Sequence, residues 1–158
     1  MTFYLKAKDV LENSQEYKLL GLMSEGLGNL NRKQKLFDAA LINFRTSLQF
    51  YSKMPDSLGI SFAYRNIGRV FLYNEQLDSA YYYFDKALHI ADIKKYPSVS
   101  SMLLEVGVVH RSAGDYLGAE SYFLSFIEQE RNENNLYSGY LALGNLYLYM
   151  NRLEDAKM

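Results

Sequence analysis

Four glycines recur at nearly regular distances along the chain, each inside an apolar stretch with helical spacing. They are Gly28, Gly68, Gly107 and Gly144, and they lie 40, 39 and 37 residues apart. An alanine follows each glycine after twelve residues, and a phenylalanine follows the first three after sixteen: Ala40, Ala80, Ala119 and Ala156, with Phe44, Phe84 and Phe123. A period between about 20 and 50 residues is typical of repeat proteins. The sequence therefore predicts several copies of one structural unit.

The glycines also predict where helices approach each other. A glycine inside a helix costs roughly 1 kcal/mol relative to alanine, so four of them need an offsetting contact. We expect each glycine to lie where a second helix comes close, because only a residue without a side chain leaves room there. The alanine is then the matching small position on the partner helix, and the phenylalanine one turn later fills the adjacent space.

Long helices are compatible with almost the whole sequence. Proline occurs only at Pro55 and Pro97, and apolar residues recur at helical spacing between short polar turns such as Asn74-Glu75-Gln76. We predict helices at about 16–32, 36–53, 57–74, 77–94, 98–112, 116–132 and 136–150, with ends uncertain by about two to four residues.

The pattern resembles the tetratricopeptide repeat, whose core has the form L-G-x2-Y…A-x3-F. The pairs that match its L-G are Leu27-Gly28, Ile67-Gly68, Val106-Gly107 and Leu143-Gly144. Phe71 and Tyr147 match its aromatic residue, whereas Asn31 and His110 depart from it. The resemblance implies an all-α fold, a right-handed α-α superhelix of stacked antiparallel helical hairpins, or α-solenoid.

The repeats differ from the family pattern in length. The family repeat has about 34 residues, and all the additional length here follows the phenylalanine. Ser52, Asp92 and Arg131 stand where the family has a proline near the end of its second helix. Without that stop the second helix can continue for about one more turn, so the chain resembles a long-helix variant.

We predict a single array over residues 1–158. Residues 2–13 are interpreted as the second helix of a truncated repeat, followed by repeats at 16–53, 57–94 and 98–132 and an incomplete repeat at 136–158. Because both ends fall within a repeat, we expect the sequence to be an excerpt of a longer protein. Repeats depend on their neighbours, so exposed array ends also predict self-association.

The family resemblance implies that the first helix of each repeat lines a concave groove. The predicted peptide-binding residues are Asn29, Arg32, Phe62, Arg65, Arg69, Tyr73, Arg111 and Asn145. Arginine can pair bidentately with a carboxylate, and asparagine can bond to an extended backbone on both sides. The alternative is a solvated surface on which the arginines pair with Glu25 and Glu105. Glu25 also stands where some family members carry a lysine that clamps a terminal carboxylate, so that clamp is not predicted.

The sequence gives no support for catalysis. His89 and His110, the only histidines, have no partner at metal-ligand spacing, and no cysteine, phosphate loop or nucleophile elbow occurs. We therefore predict no enzyme, no cofactor and no metal, and interpret His110 as a packed, hydrogen-bonded residue. The net charge of −1 disfavours nucleic acid, although an RNA-binding helical repeat remains a remote alternative. No segment is predicted to bind a membrane, and the compartment stays open, with the cytoplasm favoured over the periplasm.

These observations predict a scaffold that binds an unidentified protein or peptide. By resemblance to long-helix arrays in bacterial regulators, we expect it to be the input region of a larger regulatory protein acting in signal transduction. The alternative is a purely structural scaffold that associates with copies of itself.

Overall fold

The computed structural model describes Phe3, Leu5, Lys6, Lys8, residues 16–54 and residues 56–150. From residue 16 onward the described part consists of seven α-helices without a strand. The first helices of successive hairpins are α1 (Tyr17–Lys33), α3 (Ser57–Tyr73), α5 (Val99–Ser112) and α7 (Glu133–Tyr149); the second helices are α2 (Phe37–Ser52), α4 (Leu77–Ile93) and α6 (Tyr116–Gln129). The predicted all-α class and the seven predicted helices are thereby confirmed.

One predicted boundary, between α6 and α7, is displaced by three residues. Helix α6 ends at Gln129 and not near 132, because Glu130 turns to an extended conformation with ψ 136°. The Glu130 carboxylate accepts hydrogen bonds from the backbone N–H groups of Arg131 and Asn132 at 2.9 and 3.0 Å. Asn132 then caps α7 by accepting from the N–H of Asn134 at 2.9 Å. The longer second helix expected from the missing proline is therefore not formed in the third repeat.

Each of the three hairpin turns in the described part contains a left-handed residue seven positions after the repeat glycine. These residues are Lys35 (φ 59°), Glu75 (φ 59°) and Gly114 (φ 81°). In the second repeat the N–H of Gln76 bonds to the carbonyl of Phe71 at 2.9 Å, and the N–H of Glu75 bonds to that of Leu72 at 3.1 Å. This is a Schellman motif, which satisfies carbonyl groups left open at a helix end. Glycine is the residue that adopts this conformation without strain.

Exchanging residues at the left-handed position tests the strain directly. Glu75→Gly should raise the free energy of unfolding by about 0.5–1 kcal/mol, because the left-handed conformation costs a side-chain-bearing residue about 1–2 kcal/mol. Gly114→Ala should lower the free energy of unfolding by a similar amount. A Cβ there would meet no described atom within 4 Å, so the only cost is that of placing alanine in the left-handed conformation. Urea unfolding followed by circular dichroism measures both. Equal stability of Glu75→Gly and wild type would contradict the argument.

The chain divides into two compact units, residues 1–90 and residues 91–158. In the first unit α1 packs on α2 and α2 packs on α3. Its core contains Ala40 and Phe44 from α2 against Ile67 and Val70 from α3. Helix α4 joins α3 through the Ser61 hydroxyl, which donates to the carbonyl of Ala87 at 2.9 Å.

The second unit repeats this arrangement with its own core. Helix α5 packs on α6, and α6 packs on α7. Ala119 and Phe123 of α6 are fully buried against Leu143, Leu146 and Tyr147 of α7. The Tyr147 hydroxyl donates to the Glu120 carboxylate at 2.7 Å, which ties the polar end of a buried ring to the neighbouring helix.

The close contacts expected at the repeat glycines are present at three of the four positions. A Cβ at Gly28, Gly68 or Gly107 would lie 2.6, 3.0 or 2.5 Å from the ring of the phenylalanine sixteen residues later. The partner of each glycine is thus the aromatic ring rather than the alanine, although Ala40, Ala80 and Ala119 are all fully buried. A Cβ at Gly144 would meet nothing within 4 Å among the described residues, which end at residue 150.

Several predictions concern residues outside the described part. They include most of the proposed helix at 2–13, of which only Phe3, Leu5, Lys6 and Lys8 are described, as helical positions. The end of the incomplete fourth repeat, with Ala156, also lies outside the described residues.

Candidate functional site

The eight predicted binding residues all lie on first helices. Asn29 and Arg32 are on α1, Phe62, Arg65, Arg69 and Tyr73 on α3, Arg111 on α5 and Asn145 on α7. Tyr73 and Asn145 are exposed, and the other six are half-buried. Half-burial is expected of arginine at such positions, because its aliphatic stem covers apolar surface while the guanidinium stays near water.

Three of these residues form a cluster between α1 and α3. Arg32 donates from Nη2 to Oδ1 of Asn29, one turn earlier, at 3.5 Å. Its guanidinium carbon lies 5.5 Å from the ring centroid of Tyr73, within the range of cation–π attraction. These two contacts restrain the guanidinium at the surface and leave the Tyr73 ring 61% exposed.

An open pocket of about 430 Å³ adjoins this cluster. Its lining residues come from the end of α1, the turn and the start of α2, together with the end of α3: Arg32, Lys33, Lys35, Phe37 and Tyr73. We call it the Arg32 pocket. Three of its five lining residues are cations and the other two are aromatic, so it combines positive charge with apolar surface.

A second open pocket, of about 600 Å³, lies in the other unit. It is lined by residues from the end of α5, the start of α6 and the last turns of α7: Arg111, Ser112, Tyr116, Asn145, Leu148 and Tyr149. We call it the Arg111 pocket. The rings of Tyr116 and Tyr149 lie 6.4 Å apart, and two of the predicted residues, Arg111 and Asn145, meet here.

Arg65 and Arg69 lie one turn apart on α3, and each has contacts of its own. Neither lines the Arg32 pocket, and Phe62 does not line it either. Within the first unit, the predicted residues therefore fall into the Asn29–Arg32–Tyr73 cluster and a separate group on α3.

Glu25 has a structural role that the sequence did not reveal. Its carboxylate accepts from the Tyr51 hydroxyl at 3.1 Å and from the Asn66 amide at 3.0 Å, and so connects α1 to α2 and α3. Burial raises the pKa of the Tyr51 phenol far above its usual value, and the Glu25 carboxylate raises it further.

His110 takes part in a local arrangement at the start of α6. Its Nδ1 lies 2.7 Å from Oδ2 of Asp115, and its ring stacks on Tyr122 at 5.0 Å. The other Asp115 oxygen caps α6 by accepting from the N–H of Gly118 at 3.0 Å. That backbone bond, with His110 second, holds the pKa of the Asp115 carboxyl below its usual value. The predicted packed, hydrogen-bonded histidine is confirmed, but the sequence interpretation missed Asp115 as its partner because they face each other across a turn.

Phe37 and Tyr116 line the two pockets but were not among the eight predicted binding residues. Both stand nine positions after a repeat glycine, and Tyr73 and Tyr149 both stand five positions after one. The repeat offsets in the sequence therefore carried the signal for these pocket residues. Within the described residues, no cluster of three or more histidine, cysteine, aspartate or glutamate side chains could hold a metal ion. No helix of that part has the length and apolarity needed to cross a bilayer.

Comparison with known proteins identifies the repeat. Residues 19–93 match the family model described as tetratricopeptide repeat. A curated relative, "Uncharacterized protein ycf37" of Guillardia theta, is 25% identical over 126 residues, which are 80% of this chain and 67% of that protein.

Two solved structures have a similar fold. BtubC (BKLC) from P. vanneervenii superposes with a TM-score of 0.79 at 16% identity, over 98% of this chain and 69% of that chain. The N-terminal domain of stress-induced protein-1 (STI-1) from C. elegans gives a TM-score of 0.63 at 15% identity, over 80% of this chain and 96% of that chain. Tetratricopeptide repeats generally mediate interactions between proteins. Residues 19–93 therefore carry tetratricopeptide repeats, and the second unit has the same antiparallel hairpins.

Proposed function

We propose that this chain is a non-catalytic binding module that holds a peptide segment of another protein against its first helices. The observation that carries the proposal is the Asn29–Arg32–Tyr73 cluster, in which a restrained guanidinium lies beside an exposed ring. Arginine and tyrosine are, with tryptophan, the residue types most enriched among those that dominate binding at protein interfaces. Because helices fix these side chains before a partner arrives, little affinity is lost to ordering them.

Arg65 and Arg69 extend the proposed binding surface along α3. They lie four residues apart and therefore share one face of the helix. A partner segment that runs along this face would meet both guanidinium groups. The regulatory role expected from the sequence follows if such a segment carries the signal of a larger protein.

Charge reversal at Arg65 and Arg69 tests the proposed surface. Peptides would be selected on the wild-type chain from a displayed library of random peptides, and their affinities compared between variants by fluorescence anisotropy. Arg65→Glu with Arg69→Glu should weaken the selected peptides by at least about 100-fold, since each lost charge-assisted contact is worth about 1.4 kcal/mol or more. Circular dichroism of the double variant should remain that of wild type.

Arg45→Glu is the matched control, because Arg45 is exposed on the second helix α2. It should leave the affinities unchanged. The proposed binding surface is wrong if no peptide is selected, if the double variant binds as tightly as wild type, or if the control weakens binding as strongly as the double variant.

A self-association scaffold is the second candidate, and one observation favours it. Helix α7 exposes a series of large side chains, each more than half exposed: Tyr137, Tyr140, Leu141, Leu148 and Tyr149. Exposed apolar surface of this kind often marks an interface. Sedimentation velocity over a range of protein concentrations distinguishes the two functions. A self-association scaffold must form oligomers of this chain alone, whereas a peptide-binding module need not.

A further inference from the structure

We propose that each unit carries one copy of the same acidic-peptide pocket, and that each copy accepts an aspartate or glutamate side chain flanked by an apolar residue. The proposal deepens the proposed function and rests on it. It names the chemistry of the partner segment and assigns the Arg32 pocket and the Arg111 pocket as the places where its carboxylates are held.

The two pockets are built from equivalent repeat positions. Arg32 and Arg111 both stand four residues after a repeat glycine, and Phe37 and Tyr116 both stand nine residues after it. The third shared element is the tyrosine five residues after the next repeat's glycine: Tyr73 in one pocket and Tyr149 in the other. The second repeat has Leu72 at the arginine position, so the combination recurs once in each unit.

The charge of the lining favours an anionic side chain. The Arg32 pocket has Arg32, Lys33 and Lys35 on its wall, and no carboxylate is among its described lining residues. The Arg111 pocket has one arginine with Ser112 and Asn145, and again no carboxylate in its described lining. The net charge of the chain is −1, yet the described lining of both pockets contains cations and no anion. Both pockets are therefore electrostatically complementary to an acidic segment.

The geometry of Arg32 also suits a carboxylate. Its guanidinium is restrained by Asn29 and Tyr73, so less rotamer freedom is lost when a ligand binds. Its Nε atom is buried without a hydrogen-bond partner in the described part. A carboxylate would therefore reach the terminal nitrogen atoms, which can donate two parallel hydrogen bonds.

The exposed tyrosine rings in the two pockets are the reason that we expect an apolar residue beside the acidic residue of the ligand. Tyr73 and Tyr149 are 61% and 72% exposed beside the arginines. Covering these rings with an apolar side chain would remove their surface from water and would also strengthen the adjacent ion pair, because the local dielectric falls. An acidic residue next to a leucine or an aromatic residue meets both requirements.

A displayed library of random peptides, with blocked carboxyl ends, provides the first test. Peptides retained by the wild-type chain should be enriched in aspartate or glutamate next to an apolar residue. Arg32→Gln with Arg111→Gln should remove this enrichment, whereas Arg45→Gln with Arg131→Gln, at one exposed arginine in each unit, should preserve it. Enrichment of basic or uncharged peptides would overturn the proposal, as would enrichment that appears only when the carboxyl end is free.

Binding stoichiometry provides the sharper test. Calorimetry with one short retained peptide should give two sites per wild-type chain, one site in Arg32→Gln, one in Arg111→Gln and none in the double variant. Affinity should fall as salt is raised, because the attraction is screened. One site in wild type, or two sites in either single variant, would overturn the proposal.

The two proposals fail in different ways. If peptides of other composition bind and are weakened only by the Arg65 and Arg69 substitutions, the acidic pockets are wrong and the proposed function remains. If the chain retains no peptide at all, the proposed function fails, and the pockets fail with it.

Discussion

Gly28→Leu is expected to lower the free energy of unfolding of the first unit by more than about 2 kcal/mol. Even a Cβ at Gly28 would lie 2.6 Å from the Phe44 ring, which is fully buried and has little space to move. A leucine would have to displace that ring or separate α1 from α2. Urea unfolding followed by circular dichroism measures the loss.

Gly26→Leu is the matched control on the same helix. Gly26 is exposed, and a Cβ there would meet no atom of the described residues within 4 Å. Since leucine forms helix better than glycine by about 0.8 kcal/mol, this variant should be at least as stable as wild type. The two substitutions, two residues apart, should move the urea midpoint in opposite directions. If Gly28→Leu is as stable as Gly26→Leu, the close approach at the repeat glycine is not what holds the hairpin together.

Tyr51→Ala should cost about 3–5 kcal/mol, the range found when a large buried ring is removed. The Tyr51 side chain is 2% exposed and lies against two glycines that the sequence analysis did not single out. A Cβ at Gly21 of α1 or Gly59 of α3 would lie 2.7 or 2.5 Å from its ring. The ring therefore fills a gap that three helices share, and its loss leaves a cavity that they cannot close.

Tyr51→Phe distinguishes the contribution of the ring to stability from that of the hydroxyl group. This variant keeps the packing and loses the hydrogen bond to Glu25, so it should cost about 1 kcal/mol at neutral pH. A cost as large as that of the alanine variant would show that the packing argument is wrong and that the Glu25 contact dominates.

The difference in stability between wild type and Tyr51→Phe should change in a definite direction at alkaline pH. The folded state raises the pKa of Tyr51 above its unfolded value of 10.0, so the folded chain holds this proton more tightly. The resulting stability is complete below about pH 10 and is lost as the pH rises toward the folded pKa. The stability advantage of wild type over Tyr51→Phe should therefore be smaller at about pH 11 than at about pH 8. An advantage that stays constant would contradict the pKa shift.

The sequence by itself determined the repeat and its elements. Glycine, alanine and phenylalanine at fixed offsets placed the hairpins, and apolar periodicity placed seven helices with most ends within two residues. Both signals are local, since helical spacing and turn composition depend on neighbours a few residues away. The contact between Gly28 and Phe44 could also be predicted from the sequence, because both residues belong to one hairpin and are close in sequence.

Tertiary structure decided which side chains meet between helices. Glu25 was expected on a binding surface, yet its carboxylate accepts hydrogen bonds from Tyr51 and Asn66. Helix α6 ends before an extended Glu130 and not at a proline. Arg32 and Tyr73 are 41 residues apart in sequence and come together from α1 and α3. The six residues that line the Arg111 pocket likewise come from three helices. Such contacts depend on how each helix is rotated about its axis and how closely its neighbour packs. A period of 3.6 residues fixes only the buried face of a helix, whereas the individual partners on that face are set by the packing of whole helices.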